Sequence, residues 1–235
     1  MQDVLELIKE RHSTRVPFDP QRPVAKQDLR QILEAARWSP TAHNMQNFEI
    51  IVVDNTRLLE ALGKIESHIS EEFIRENYQQ LSFSQEELRR KKVGILGNMF
   101  PPTWTDPAKI DEAVRETSFL NQTIRGSPLL LVVVYDPQKR APASESDFLG
   151  IMSLGCVMEN MWLMAQSLGI GFMIMSVFSE DSIERKVRRT LNVPEHLKIA
   201  YACRLGYPIS SAAQYLRVRR EVEGFTHCNR FGDTA

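Results

Sequence analysis

Spacing of the apolar residues assigns most of this chain's secondary structure. Val4, Leu7 and Ile8 recur three and four apart, so residues 2–10 read as a short amphipathic helix. RHSTRVPFD (11–19) breaks that pattern and leads to Pro20. Leu29, Ile32, Leu33 and Ala36 form the stripe of a second helix, opened by Lys26 to Leu29. It stops before Ser39-Pro40, because a residue preceding proline disfavours helical backbone. SPTAHNMQN (39–47) is a loop by composition, FEIIVV (48–53) a strand, and Leu58, Leu59, Leu62 and Ile65 mark a third helix. PLLLVVVY (128–135) hardly alternates, which predicts a strand covered on both faces. A long helix follows over 147–168 and ends at Gly169, a residue suited to a helix C-terminus. GFMIMSVF (171–178) reads as a strand, Asp181 to Leu191 as a short helix, and KIAYACRLG (198–206) as the fourth strand. Pro101, Pro102 and Pro107 exclude a regular element at the centre of segment 82–121, which reads as a lid or binding loop. The tail from Pro208 to Ala235 shows no helical stripe. With no repeat, low-complexity tract or linker, a single domain over 1–235 is expected.

The long helix is apolar on nearly every side. Phe148 to Leu168 would span a bilayer, but Ser153, Glu159, Asn160 and Gln166 interrupt it. An ionised Glu in lipid costs on the order of several kcal/mol, so a covered helix in a soluble protein is the expectation, with no membrane association. Cover on all sides comes either from a large domain core or from a subunit interface, and the pattern admits both.

Composition narrows the partners. Lys+Arg is 29 against Asp+Glu 30, a net charge of -1, so no global field favours nucleic acid or an anionic membrane and any anion site is local. Cys156, Cys203 and Cys228 are odd in number and lack paired spacing, which argues for reduced thiols in a cytoplasmic setting. The charged start, MQDVLELIKER, does not read as a signal peptide.

Three segments carry candidate chemistry. Arg11, Ser13 and Arg15 put two permanent cations and a hydroxyl directly after a helix. Guanidinium forks match phosphate oxygens, and cations are also favoured at helix C-termini for structural reasons alone. SPTAHNMQN is either a polar connector or a small-residue loop whose amides read a heterocycle's edge. Arg217, Arg219 and Arg220 are either a solvated charge run or a nucleic-acid patch, and the latter usually needs a broader basic surface and aromatic platforms. The chain has no nucleophile elbow, GxGxxG or Walker A motif, and its five histidines have no ligand spacing, so no metal is expected. Anion-binding arginines without a nucleophile point to borrowed chemistry from an organic cofactor.

In this order the segments resemble the nitroreductase family of flavoproteins over nearly the whole chain. The resemblance rests on five elements. These are R-x-S-x-R (Arg11, Ser13, Arg15), the A-x-x-SP-small-small-x-N-x-Q run from Ala36 through Gln46, and the long apolar helix entering Leu168-Gly169-Ile170-Gly171. LGYP at 205–208, and R-x-R at Arg217 and Arg219 before the NRFG finish, complete it. It implies a three-layer α+β fold, with a central mixed, mainly antiparallel sheet flanked by helices, in an intertwined homodimer binding two FMN. It also implies a ping-pong oxidoreductase using NADH or NADPH to reduce nitroaromatics, quinones or related acceptors. Specialised flavin chemistry (reductive dehalogenation or flavin fragmentation) and non-catalytic FMN storage are the alternatives. By resemblance, Arg11 and Ser13 hold the FMN phosphate with Arg217 and Arg219, His12 lies beside the ribityl chain, and Arg15 sits at the pyrimidine edge. Pro40, Thr41, Ala42, Asn44 and Gln46 match the loop laid over the flavin of the other subunit. Ile174, Met175, Ser176 and Val177 match the strand end lining the ring, with the Ser176 N–H as donor to flavin N5, and residues 208–235 match an extension toward the partner. Ala42 departs from the family's usual hydroxyl residue, and segment 82–121 matches nothing specific.

Overall fold

The computed structural model describes residues 3–67, 86, 119–124, 126–144, 146–210, 219 and 221–233. The segment read as a lid, 82–121, lies outside the described residues except for Glu86 and 119–121. The chain divides into two compact units, Met1–Ser67 with Ser118–Ala212, and His68–Thr117 with Ala213–Ala235. In the second, Val222–Gly224 form a 3-10 turn. The Cys228 N–H then closes a turn on the Asp233 carbonyl at 2.9 Å.

The first unit holds α1 (Val4–Glu10), α2 (Lys26–Arg37), β1 (Glu49–Val53), α3 (Thr56–Gly63), α4 (Phe119–Ile124), β2 (Leu129–Tyr135), α5 (Phe148–Ser167), β3 (Gly171–Met175), α6 (Asp181–Leu191) and β4 (Lys198–Gly206). Helix starts follow local chemistry: the Asp3 carboxylate accepts from Leu5 N–H, and the Asn55 side chain accepts from Arg57 and Leu58 N–H. The sheet runs β1-β2-β4-β3, and each of these pairings is antiparallel.

β2 explains its own lack of alternation. Leu130, Val132 and Val134 enter a core shared with α3, α4 and α6, while Leu129, Leu131 and Val133 enter a second core shared with α2 and α5. The sheet is therefore the middle of three layers, and a strand buried on both faces has no polar side to show. In β4 the register slips between Val133 and Val134 of its partner, leaving Ala200 as the extra residue. The bulge puts Ala200 and Tyr201 against the same core, with Ile199 and Ala202 on the other face.

The third strand is shorter than its apolar run. It ends at Met175, and Ser176–Ser179 turn into a 3-10 segment. The turn lets the consecutive residues Val177 and Phe178 enter one core, which an alternating strand forbids.

α5 ends as its sequence predicts. Gly169 has φ +68°, the Gly169 N–H reaches Gln166 O and the Ile170 N–H reaches Ala165 O, the double bond of a Schellman cap. Leu154, Val157, Met161, Trp162 and Ala165 are buried along α5. Its first turns are bare: Phe148, Ile151 and Met152 are 62 %, 51 % and 54 % exposed. α5 is long and apolar enough to cross a membrane by length and composition, and here it packs along α2 and the second core. α1 buries none of its residues, so the stripe of Val4 and Ile8 is also left uncovered.

Candidate functional site

After α1 the chain becomes extended and runs beside β3. The Thr14 N–H donates to Phe172 O at 2.9 Å, and the Phe172 N–H donates back to Thr14 Oγ1 at 3.3 Å. Phe18 then bridges to Pro208, the Asp19 N–H donates to Tyr207 O at 2.8 Å, and the Ile209 N–H donates to Pro17 O at 3.2 Å. Residues 14–19 are thus tied backbone-to-backbone along the ends of β3 and β4. The register pair Gly171 and Gly206 makes this possible. A Cβ on Gly171 would sit 2.5 Å from Phe18 Cε1, and one on Gly206 would sit 2.7 Å from Phe18 Cβ. Phe18, fully buried, occupies the space that two side chains would fill.

Arg11 is held from α5. Its Nε lies 3.0 Å from Glu159 Oε1, and its guanidinium stacks 4.0 Å from the centre of the Trp162 ring. The Trp162 indole N–H donates to His12 O at 3.2 Å, and the ring stacks on Phe172 at 5.5 Å. His12 is anchored locally, with Nδ1 at 2.9 Å from Glu10 O. Ser13 and Arg15 are half-buried on the same stretch.

Arg204 of β4 reaches this segment from below. It is 3 % exposed, and it donates to the carbonyls of Thr14 and Val16 at 3.0 and 3.1 Å. Burial first, and the charge of Arg15 second, push its pKa down to about 10, so it stays a cation at neutral pH. Two guanidinium groups therefore share one neighbourhood. On the opposite face burial pushes the Cys203 thiol up, which keeps it protonated and inert.

The small-residue loop docks on the other half of α5. The Ala42 N–H donates to Ser153 Oγ at 3.0 Å, and that hydroxyl donates to Leu149 O at 2.7 Å. Asn160 Nδ2 donates to Ser39 Oγ at 2.9 Å. Ala42–Asn44 form a 3-10 turn, and His43, Asn44 and Gln46 all have positive φ. The Gln46 N–H donates to Thr41 Oγ1 at 3.1 Å, and Gln46 Nε2 donates to Asn44 Oδ1 at 3.1 Å. Pro40, Asn44 and Gln46 are exposed, and Thr41 and Ala42 half-buried. The polar loop is thus a shaped turn, presented next to the bare end of α5.

Of the residues singled out from sequence, Arg11, His12, Ser13 and Arg15 lie together beside β3. Ile174 and Met175 lie further along that strand, and Ser176 and Val177 in the turn after it. The 40–46 loop shares α5 with Arg11 but sits lower on it: Ser153 and Trp162 are roughly 13 Å apart along the helix at 1.5 Å per residue. Arg219 belongs to the second unit and is exposed, and Arg217 lies outside the described residues. Sequence reasoning passed over Thr14, Phe18, Glu159, Trp162 and Arg204. For two of them a signal existed: Arg204 is a charge inside a central-strand pattern, and Glu159 a charge inside an apolar helix. Among the described residues no group of three His, Cys, Asp or Glu side chains is placed to hold a metal.

Fold and site together define a class: a helix–sheet–helix α+β protein with an arginine-rich segment clamped at one sheet edge and a shaped small-residue loop on the central helix. Comparison with family profiles narrows the class, because residues 8–207 match the description Nitroreductase family. The chain belongs to the nitroreductase family. An archaeal relative from Archaeoglobus fulgidus, provisionally named an NADH dehydrogenase/NAD(P)H nitroreductase, is 24 % identical over 208 residues, covering 88 % of this chain and 87 % of its own. Among solved structures, a nitroreductase with bound FMN from Bacteroides fragilis shares 22 % identity at TM-score 0.58, covering 98 % of this chain and 100 % of its own. An FMN-dependent nitroreductase from Clostridium difficile shares 18 % at TM-score 0.60, covering 97 % and 100 %. These structures share the fold. Family membership makes the chain an oxidoreductase.

Proposed function

We propose that the chain is an FMN-dependent NAD(P)H oxidoreductase that works as a homodimer on small electron-poor acceptors. The observation that carries the proposal is the clamped RHSTR segment. Its backbone is fixed on β3, Arg11 is oriented by Glu159 and Trp162, and Arg15 lies near a second, buried guanidinium.

That donor set fits FMN. A phosphate monoester carries close to two negative charges and accepts charge-assisted hydrogen bonds, which Arg11 and the Ser13 hydroxyl supply. Among the described residues no ion pair involves Arg204, so its charge adds to the local positive field. On this reading Arg11 and Ser13 hold the phosphate with Arg217 and Arg219, and His12 flanks the ribityl chain. Arg15 faces the pyrimidine edge, where a cation raises the reduction potential. Ile174, Met175, Ser176 and Val177 line the ring, with the Ser176 N–H toward N5. Pro40, Thr41, Ala42, Asn44 and Gln46 cover the flavin of the partner subunit and exclude water. FMN, when bound, takes two electrons from NADH or NADPH and passes them to a nitroaromatic, a quinone or a related acceptor. No side chain is assigned as acid, base or nucleophile; the chain binds, orients and shields.

The bare start of α5, next to the 40–46 loop, supports the dimer: Phe148, Ile151 and Met152 await cover that the described part of this chain does not supply. Cys156, Cys203 and Cys228 are all free thiols, which suits the cytoplasm.

Purified protein should be yellow, NADH or NADPH should bleach it anaerobically, and a quinone should restore the colour. A colourless protein that takes up no FMN overturns the proposal. Bound FMN that neither nucleotide reduces would leave a storage module instead.

A further inference from the structure

Arg204 does not belong in its strand by pattern. KIAYACRLG is otherwise an apolar run, and its neighbours Cys203 and Leu205 are wholly buried. A buried guanidinium costs free energy unless its hydrogen bonds and charge are met. Its hydrogen bonds are met in full view. The Arg204 Nη2 donates to Thr14 O and Val16 O, Nε approaches Met173 Sδ at 3.2 Å, and the fork lies 4.6 Å from the centre of the Phe18 ring. Met173 is its register partner on β3, so the side chain crosses that strand to reach the segment beyond it. Its charge is not met in this way. The influences on Arg204 are burial and a second cation, Arg15, and both disfavour the charged form.

The two carbonyls it grips belong to residues 14 and 16. They bracket Arg15, so the backbone on each side of that residue is tied to one rigid fork. Phe18, wedged over Gly171 and Gly206, closes the same clamp two residues on.

We infer that Arg204 is a positioning residue for the proposed FMN site. It fixes the backbone that carries Arg15 and lends the site a positive charge that no acidic side chain among the described residues pairs with, so it strengthens FMN binding and raises the potential of the bound flavin. The inference rests on the reading of the 11–16 segment as the FMN site. A purely structural rivet would affect folding alone, because two neutral hydrogen-bond donors could hold two carbonyls. The buried charge is what the rivet role leaves unexplained.

The test uses the full-length protein with Arg204→Met, Arg204→Gln and Arg204→Lys. FMN dissociation constants are read by fluorescence titration, the midpoint potential of the bound flavin by reductive titration, and the thermal midpoint without FMN by circular dichroism. Losing hydrogen bonds made by a charged group should weaken FMN binding at least about tenfold in Arg204→Met, together with a lower potential. Arg204→Lys should recover the potential while recovering only part of the affinity; a Lys variant no better than Met in potential overturns the charge contribution. Should Arg204→Met fail to fold, Arg204→Gln decides, since it keeps a donor for the carbonyls and gives up the charge. A neutral variant with wild-type affinity and potential overturns the inference alone. Wild-type protein that takes up no FMN overturns the site reading along with it.

Discussion

Arg11 shows how little energy a functional arrangement needs. Its ion pair with Glu159 is partly exposed, at 19 % and 40 % for the two side chains, and such pairs contribute about 1 kcal/mol or less. Stacking on Trp162 adds a similar amount. Their value lies in direction: Nε is engaged by the carboxylate while the plane of the fork is set by the indole. Glu159→Gln should therefore leave stability within about 0.5 kcal/mol of wild type by urea unfolding. The same variant should loosen FMN by a few-fold in a fluorescence titration. Wild-type affinity in that variant would show that Glu159 is a bystander. At the other end of the chain Arg219 is the second test of the phosphate assignment. Arg219→Ala should lose FMN during gel filtration where wild type retains it, and unchanged flavin occupancy would remove Arg219 from the clamp. Glu159 was visible in the sequence only as a charge interrupting a helix long enough for a membrane. Its partner is 148 positions away by number, and no local spacing announces such a pair.

The ordered elements divide into those that make the core and those that hold the site. β2 puts alternate residues into two cores, and its buried side chains are all apolar. The site depends on close approach instead. Gly171 and Gly206 leave the room in which Phe18 lies on the sheet, so a Cβ added there meets side-chain atoms of Phe18, Thr14 and Pro128 at under 3 Å. Gly206→Ala should cost about 1–3 kcal/mol by overpacking, measured by chemical denaturation. Because the displaced Phe18 follows Arg15 and Val16 in the chain, FMN affinity should fall with it. An alanine variant as stable as wild type would mean that Phe18 relocates without strain. Further along, α5 serves both halves of the site: Ser153 and Asn160 hold the 39–47 loop, while Glu159 and Trp162 hold Arg11 and His12. Ser153, Glu159 and Asn160 on an otherwise apolar helix are thus accounted for by what they grip.

At the scale of the molecule, large apolar side chains stand uncovered among the described residues. The first turns of α5 and the stripe of α1 remain exposed although their sequences are those of covered helices. On the proposed reading, the exposed apolar side chains at the start of α5 belong to the subunit interface. Ile151→Glu should convert a dimer into a monomer in sedimentation analysis, since a charge at the centre of a dry interface is left without a partner. Flavin should be lost in the same step, because on the proposed reading each cofactor is covered by the other subunit's loop. A variant that stays dimeric with full flavin would place the interface elsewhere.

Much of this was readable from residue order. Leu129 to Tyr135, the helix Asp181–Leu191 and the strand Lys198–Gly206 follow their apolar runs closely, and Gly169 stops its helix where a left-handed residue is needed. Local periodicity suffices there, because each residue's fate is decided by neighbours three or four positions away or by the strand's pleat. The RHSTR motif was likewise legible as a candidate anion site. Its support was not: Arg204 stands 190 positions from Thr14, Trp162 150 positions from His12, and Gly171 and Gly206 matter only because antiparallel pairing sets them side by side. The chain order alone determined most of the helices and strands and marked a candidate anion-binding loop, because those depend on short-range sterics, burial and residue type. Only the tertiary structure decided which distant carbonyls, rings and carboxylates hold that loop in place, because such contacts arise from sheet register and helix packing, which no local pattern encodes.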